Sequence, residues 1–231
     1  MFCDDLDISE IQKRLDAGQA ITFQKPAVVM ITGSRGRRDI VRAAGLPWIL
    51  LKNNFDEDAV KEDESLINSV EKAVEYCKGL AEQKLKAVKD FFVNAAVICA
   101  DTVVFNKRLL EKPKTEAEVY EMIRGLNGSK HQVITGVSIY DCREHPVCLR
   151  QPPLWREGNV LTFASESEVL LSGVTDGLIA EMIRLENPYA CSGGYTIDGI
   201  LGPRFKVLAG TKDNVIGLPL AEIIFALGKT E

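Results

Sequence analysis

Six short runs of strand character frame this chain: Ala27–Thr32, Pro47–Leu51, Ala95–Ala100, Gln132–Tyr140, Glu168–Leu171 and Phe205–Ala209. Helical periodicity falls between them, at Arg38–Ala44, Glu64–Phe92, Thr115–Gly125, Thr175–Glu186 and Leu220–Leu227. Strands that alternate with helices predict an α/β protein, here one whose sheet is open to mixed pairing. With 231 residues, 46% of them hydrophobic, such a chain can bury roughly 70–75% of its unfolded surface. The segment 141–159 carries three prolines and scattered charges that interrupt any period. It reads as a long hairpin loop or an insertion.

Charge narrows the partners. A net charge of −5 disfavours a nucleic-acid polymer, whose phosphates require a broad basic face. No run approaches the roughly 18 apolar residues of a membrane span. The acidic N-terminus is unlike a signal or transit peptide and reads as a helix instead. Asp7 is its N-cap, Glu10 the capping-box partner, Leu6 and Ile11 the hydrophobic staple, and Gly18 the stop. Six cysteines with no CxxC pair read as reduced thiols in a cytoplasmic protein.

Several segments carry polar residues where their surroundings are apolar. In "VICADTVVF", Asp101 lies in a run that reads as a buried strand. Burying an isolated carboxylate is costly without a cation or several donors, so Asp101 needs a metal, a catalytic water or a turn to cap. On the preceding helix Val70, Val74, Cys77, Ala81, Lys84, Val88 and Phe91 share one face. Lys84 interrupts that apolar stripe, either snorkelling at its edge or aimed at an anion. Lys112 precedes Pro113 and a helix capped by Thr115, with Glu118 completing a capping box; alone it reads as a surface lysine. His131 has no second histidine at metal spacing and is not read as a ligand. "SGGYTIDGILG" packs glycines around Asp198, implying turns or the close approach of a flat ligand.

"ITGSRGRRDI" has the chemistry of a phosphate cradle. A strand ends at Thr32, Gly33 and Gly36 free the backbone, and a helix N-terminus follows Arg37. Arginine adds planar, bidentate recognition of phosphoryl oxygens. Without GxxxxGK[ST] it is not a P-loop, and a basic turn in water is the alternative.

Taken in order, "GSRGRRDIVRAAGL", "FDED", "GLAEQKLKAV", "ADTVV", "LLEKP", "GLNGSKHQVITGV", "YACSGGYTIDGILG" and "GTKDNVIGLPL" resemble the Maf family of nucleoside triphosphate pyrophosphatases. The resemblance runs from about residue 27 to 228. It implies an elongated mixed sheet with surrounding helices, similar to inosine triphosphate pyrophosphatases, in two lobes about a central cleft. On that reading residues 1–26 are a helical extension, and 27–231 a single catalytic domain with a loop insertion near 141–159. The implied activity is hydrolysis of a nucleoside triphosphate, whether non-standard, methylated or pyrimidine, to its monophosphate and pyrophosphate. The implied cofactor is a divalent cation, Mg²⁺ or Mn²⁺. Family members are often dimers, so the resemblance also implies a homodimer.

Carried over by position, Asp101 matches the residue that activates water and Glu57 a second acid that helps hold the cation. Arg37 and Arg38 match the arginine pair, and Lys84 and Lys112 the two lysines. Ser34, Thr102, Thr135 and Asp198 complete the implied substrate contacts. Two features depart from the family pattern. The loop Gly33–Arg38 lacks the usual Ser-x-Ser-Pro and has Arg35 in place of a serine. Asp198 stands where members acting on thymidine and uridine triphosphates have glutamine. A carboxylate only accepts where an amide both donates and accepts, and an acidic residue here is associated with methylated guanosine triphosphate. Thr102 resembles the pyrimidine group, so the base preference stays open. A non-catalytic nucleotide-binding protein that retains the cleft is the alternative.

Overall fold

The computed structural model describes residues 7–52, 66–143 and 159–228. In chain order the elements are α1 (Ile8–Asp16), β1 (Ile21–Ile31), α2 (Arg35–Ala43), β2 (Ile49–Leu51), α3 (Val70–Lys86), β3 (Phe92–Phe105) and β4 (Leu109–Leu110). There follow α4 (Glu116–Leu126), β5 (Lys130–Asp141), β6 (Val160–Leu171), α5 (Asp176–Leu185), β7 (Phe205–Ala209), α6 (Lys212–Ile216) and α7 (Leu220–Leu227). The sheet is mixed, in the order β2-β1-β3-β5-β6-β7, with β4 on the end of β3. β1 runs parallel to β2 and β3, whereas β3, β5, β6 and β7 pair antiparallel. β3 is therefore the strand at which the parallel half changes to the antiparallel half.

The apolar runs in β1 and β3 follow from burial on both faces. Val29, Ile31, Val97 and Cys99 enter one core with α1 and the end of α3, and Val28, Met30, Ala96 and Ile98 enter another with α2 and α7. At the antiparallel end, Val133 and Val169 face α4 and α5, while Ile134 and Val103 face the start of α3. Pro26 lies where β1 slips register, between Thr22 and Ala27, because proline cannot donate to a sheet ladder.

Local chemistry fixes the helix starts. Asp7, Ser34, Ser69, Thr115, Thr175 and Thr211 each accept a hydrogen bond from a backbone N–H two or three residues on, a cap worth about 1 kcal/mol. Gly18, at φ 64°, follows the end of α1. Glu118 accepts from Lys114 N at 2.7 Å, so the capping interaction before α4 closes one residue earlier than the capping box predicts. The sheet begins at Ile21, six residues before the start of the family resemblance, and Ile11, Leu15 and Phe23 are buried in the core that covers β1. Each such side chain contributes about 1.5–3 kcal/mol, and together they join α1 to the sheet.

α3 starts at Val70 rather than Glu64, because Ser69 caps it. β6 extends eight residues further back than the run Glu168–Leu171, through a stretch whose alternating serines, threonine and glutamate mask it. β5 and β6 pair directly across Tyr140 and Val160, so the segment between them joins a hairpin; residues 144–158 lie outside the described residues. Among the described residues no helix is long and apolar enough to cross a membrane.

Candidate active site

Asp101 sits at the parallel-to-antiparallel change. β1 pairs with β3 up to Ile31 and Cys99, so beyond that rung one side of β3 is released from its neighbour. On the other side Asp101 remains opposite Gly136 of β5. Its side chain is 15% exposed and forms an ion pair through Oδ1 with Lys84 Nζ, whose side chain is 9% exposed. Lys84 is therefore not snorkelling. Its burial and its position on α3 turn the ammonium onto the carboxylate that most needs compensation.

Gly136 and Cys77 set the height of α3 over this rung. A Cβ on Gly136 would lie 2.4 Å from the Cys77 carbonyl oxygen and 2.7 Å from its carbonyl carbon, so glycine permits the helix to rest on bare strand. Cys77 Sγ accepts from Gly136 N at 3.1 Å and lies 3.4 Å from the carbonyls of Asp101 and Ile134. Burial pushes its thiol far up, and the Asp101 carboxylate adds to the effect. Two turns along the same face, Lys84 meets Asp101. The cysteines of the described residues, Cys77, Cys99, Cys142 and Cys191, are free thiols, and burial raises Cys99 to about 12.

Arg37, one of the two arginines expected to touch phosphate, is turned into the protein. α2 begins at Arg35, not after Arg37, because Ser34 caps it, its Oγ accepting from Arg37 N at 3.4 Å. That phase turns Arg37 inward, where it is 8% exposed. Its Nε donates to the Gly217 carbonyl at 2.6 Å, Nη1 to the Ala100 carbonyl at 2.9 Å and Nη2 to Thr102 Oγ1 at 2.8 Å. Thr102 and Thr135 are cross-strand partners with their hydroxyl oxygens 3.0 Å apart. Thr135 donates to the Asn214 carbonyl at 3.0 Å, and a hydroxyl has one proton, so Thr102 donates to Thr135. Thr135 is fully buried, and its hydroxyl joins Thr102 to the Asn214 carbonyl.

The remaining candidates divide between two openings. A pocket of about 70 Å³ is lined by Asp101, Thr102, Lys112, Ser192, Tyr76 and Leu80, among others. Ser192, which sequence reading missed, donates to the Thr102 carbonyl at 3.2 Å. The pocket has room for a few water molecules or one phosphoryl group, not for a nucleotide. A larger cleft, about 540 Å³, lies on the outer side of α2, where Thr32, Arg35, Arg38, Asp39, Arg42 and Lys52 contribute to its walls. Arg38 is half-buried and its Nη1 lies 3.5 Å from the Thr32 carbonyl. Asp198 lines neither opening; it is exposed and paired with Lys212 at the start of α6. Glu57 lies outside the described residues.

An α/β sheet that carries a largely buried carboxylate–ammonium pair where strand pairing changes, beside an arginine-bearing helix, defines a protein with a cleft suited to an anionic ligand. The chain belongs to the Maf-like protein family, whose model matches residues 27–230. It is 29% identical over 201 residues to a dTTP/UTP pyrophosphatase of Halalkalibacterium halodurans, covering 87% of this chain and 94% of that one. It is 32% identical over 198 residues to a dTTP/UTP pyrophosphatase of a Geobacillus species, covering 85% and 94%. Among solved structures it is similar to a nucleoside-triphosphatase / dITP/XTP pyrophosphatase from Mycobacterium abscessus, with 9% identity, 64% and 75% coverage and a TM-score of 0.33.

Proposed function

We propose that this protein hydrolyses nucleoside triphosphates between the α and β phosphorus, releasing a monophosphate and pyrophosphate. The observation that carries the reading is Asp101: a largely buried carboxylate, compensated by Lys84, on the floor of a pocket shared with Lys112. The names of the two relatives support the same reaction. In it Asp101 takes a proton from water as the water oxygen bonds to the α phosphorus. The bond from that phosphorus to the bridging oxygen breaks, and pyrophosphate leaves with the electron pair. Lys84 orients the carboxylate, and Lys112 and Arg38 offset the charge on the phosphoryl oxygens, typically the largest contribution to such catalysis. Arg37 holds the strand carrying Asp101 and Thr102 against α2.

Among the described residues no three metal-binding side chains converge. A single carboxylate still fits a cation of the magnesium type, which retains water and takes further ligands from substrate phosphates. Asp101, with Glu57 in the role the family resemblance implies, would hold it. When bound, such a cation supplies neutralisation of phosphate charge.

For the base, Asp198 alone offers only acceptors, but the Lys212 ammonium beside it supplies donors. Both groups are charged, whereas the glutamine of family members acting on thymidine and uridine triphosphates is neutral, so the pair does not reproduce it.

The test is a triphosphate panel with Mg²⁺ or Mn²⁺, read for pyrophosphate against orthophosphate. Wild type is expected to release pyrophosphate, and a folded Asp101→Asn variant to lose at least about 10²-fold in rate. Full turnover by that variant removes Asp101 from the chemistry. Nucleotide binding with no release by wild type establishes a binding protein in place of an enzyme, and orthophosphate with diphosphate indicates a terminal phosphatase. Asp198→Gln is expected to move preference toward dTTP and UTP; an unchanged ranking means that Asp198 does not read the base.

A further inference from the structure

We propose that the outer cleft is a seat for a diphosphate-type anion, built by Arg35, Arg42 and Lys52 in addition to Arg38. The inference rests on the proposed reaction only for the source of that anion, since pyrophosphate is the leaving group.

Arg35, Arg38 and Arg42 are spaced three and four residues apart on α2 and form one stripe, facing Lys52 across the cleft. The stripe spans about 10 Å along the helix axis, more than one orthophosphate can bridge and suited to linked phosphoryl groups. Among the described residues, four cationic side chains stand against one carboxylate, Asp39, in a protein whose net charge is −5. Asp39 does not satisfy them. Its contacts with Arg35 and Arg42 are 3.4 and 3.6 Å long between side chains that are more than half exposed, and such pairs are worth about 0–1 kcal/mol. A multiply charged anion replaces one weak carboxylate at little cost and gains bidentate arginine contacts. The cavity volume, about 540 Å³, lies within the roughly 300–1,000 Å³ of small-molecule sites.

Its far wall is held in place. Gln12 of α1 clamps the backbone of Lys52 from both sides, its Oε1 accepting from Lys52 N at 2.7 Å and its Nε2 donating to Lys52 O at 3.3 Å. Through this contact α1 fixes the end of β2 that presents Lys52. The cleft is next to the reaction centre, since Thr32 follows directly from Ile31, the residue paired with Cys99 two positions before Asp101. α2 thus turns Arg37 toward the Asp101 strand and the other three arginines toward the cleft.

Titration of the full chain with inorganic pyrophosphate by calorimetry, in the presence of Mg²⁺, tests the proposal, with orthophosphate as the comparison. Wild type is expected to bind one pyrophosphate, more tightly than orthophosphate. The triple variant Arg35→Gln, Arg42→Gln, Lys52→Gln, which leaves Arg38 in place and changes only solvent-facing side chains, is expected to bind it at least about tenfold more weakly at an unchanged melting temperature. Equal affinity in the two proteins, absence of pyrophosphate binding by wild type, or orthophosphate binding as tightly each overturns the proposal. Pyrophosphate binding that depends on these residues, in a protein that releases none from any triphosphate, supports the site and overturns the activity.

Discussion

The two faces of α2 carry the same residue type to opposite ends. Arg37, on the inner face, spends each guanidinium nitrogen on the protein itself, while Arg35, two residues earlier, is 91% exposed and meets only a distant carboxylate. A cation surrounded by oriented carbonyls is a fixed part of the frame. One that leans on a weak surface pair remains available to a ligand. Position along the helix, not residue identity, decides between these roles, and Ser34 sets that position by fixing where the helix starts.

The largest test of this contrast is Arg37→Ala. It strands the carbonyls of Ala100 and Gly217 and removes the donor to Thr102 Oγ1, and is expected to cost about 3–5 kcal/mol of stability by denaturant melts. A loss under about 1 kcal/mol would mean that the inner network is not structural.

A smaller effect is expected at another closed contact. His131 Nε2 lies 2.7 Å from Tyr195 Oη, and burial lowers the imidazole to about 4. Unfolded chains take up that proton near pH 6.5, so between about 6.5 and 4 the unfolded state binds more protons and stability falls as pH falls. The loss reaches at most about 3 kcal/mol by the lower end. His131→Asn is expected to flatten this part of the stability profile, and an unchanged slope would place the acid sensitivity elsewhere.

The smallest effect belongs to the open face. Arg35→Ala is expected to shift stability by no more than about 0.5 kcal/mol. A loss comparable to that at Arg37 would erase the distinction between the faces.

What sequence reading could reach follows the same division. Asp101 and Lys84 are each conspicuous because a charge interrupts an apolar pattern, and burial costs make such interruptions meaningful at short range. The strand framework and the main helices were legible for similar reasons, since periodicity and caps are local. The burial of Arg37 is not legible in the sequence because its partner Gly217 lies 180 residues away and nothing in the loop announces that carbonyl. Thr135 looked available because the register that places it under Thr102 is a property of the sheet. The five-residue α6, whose Asn214 and Gly217 close this network, is too short for periodicity to reveal. Lys52 and Arg42 went unnoticed because exposed cations are common, and only the cavity between α2 and β2 distinguishes them.

The bare backbone at Gly136 has a consequence for how a chain of this design can diverge. Any side chain there would collide with α3 above the Asp101 rung, so the α3 side of the reaction centre is closed to substitution. Apart from Arg38, the α2 wall is made of solvent-facing side chains and can exchange charge freely. Lineages sharing this architecture can therefore drift in which anions they favour through the α2 wall alone, while the α3 side preserves the reaction centre unchanged.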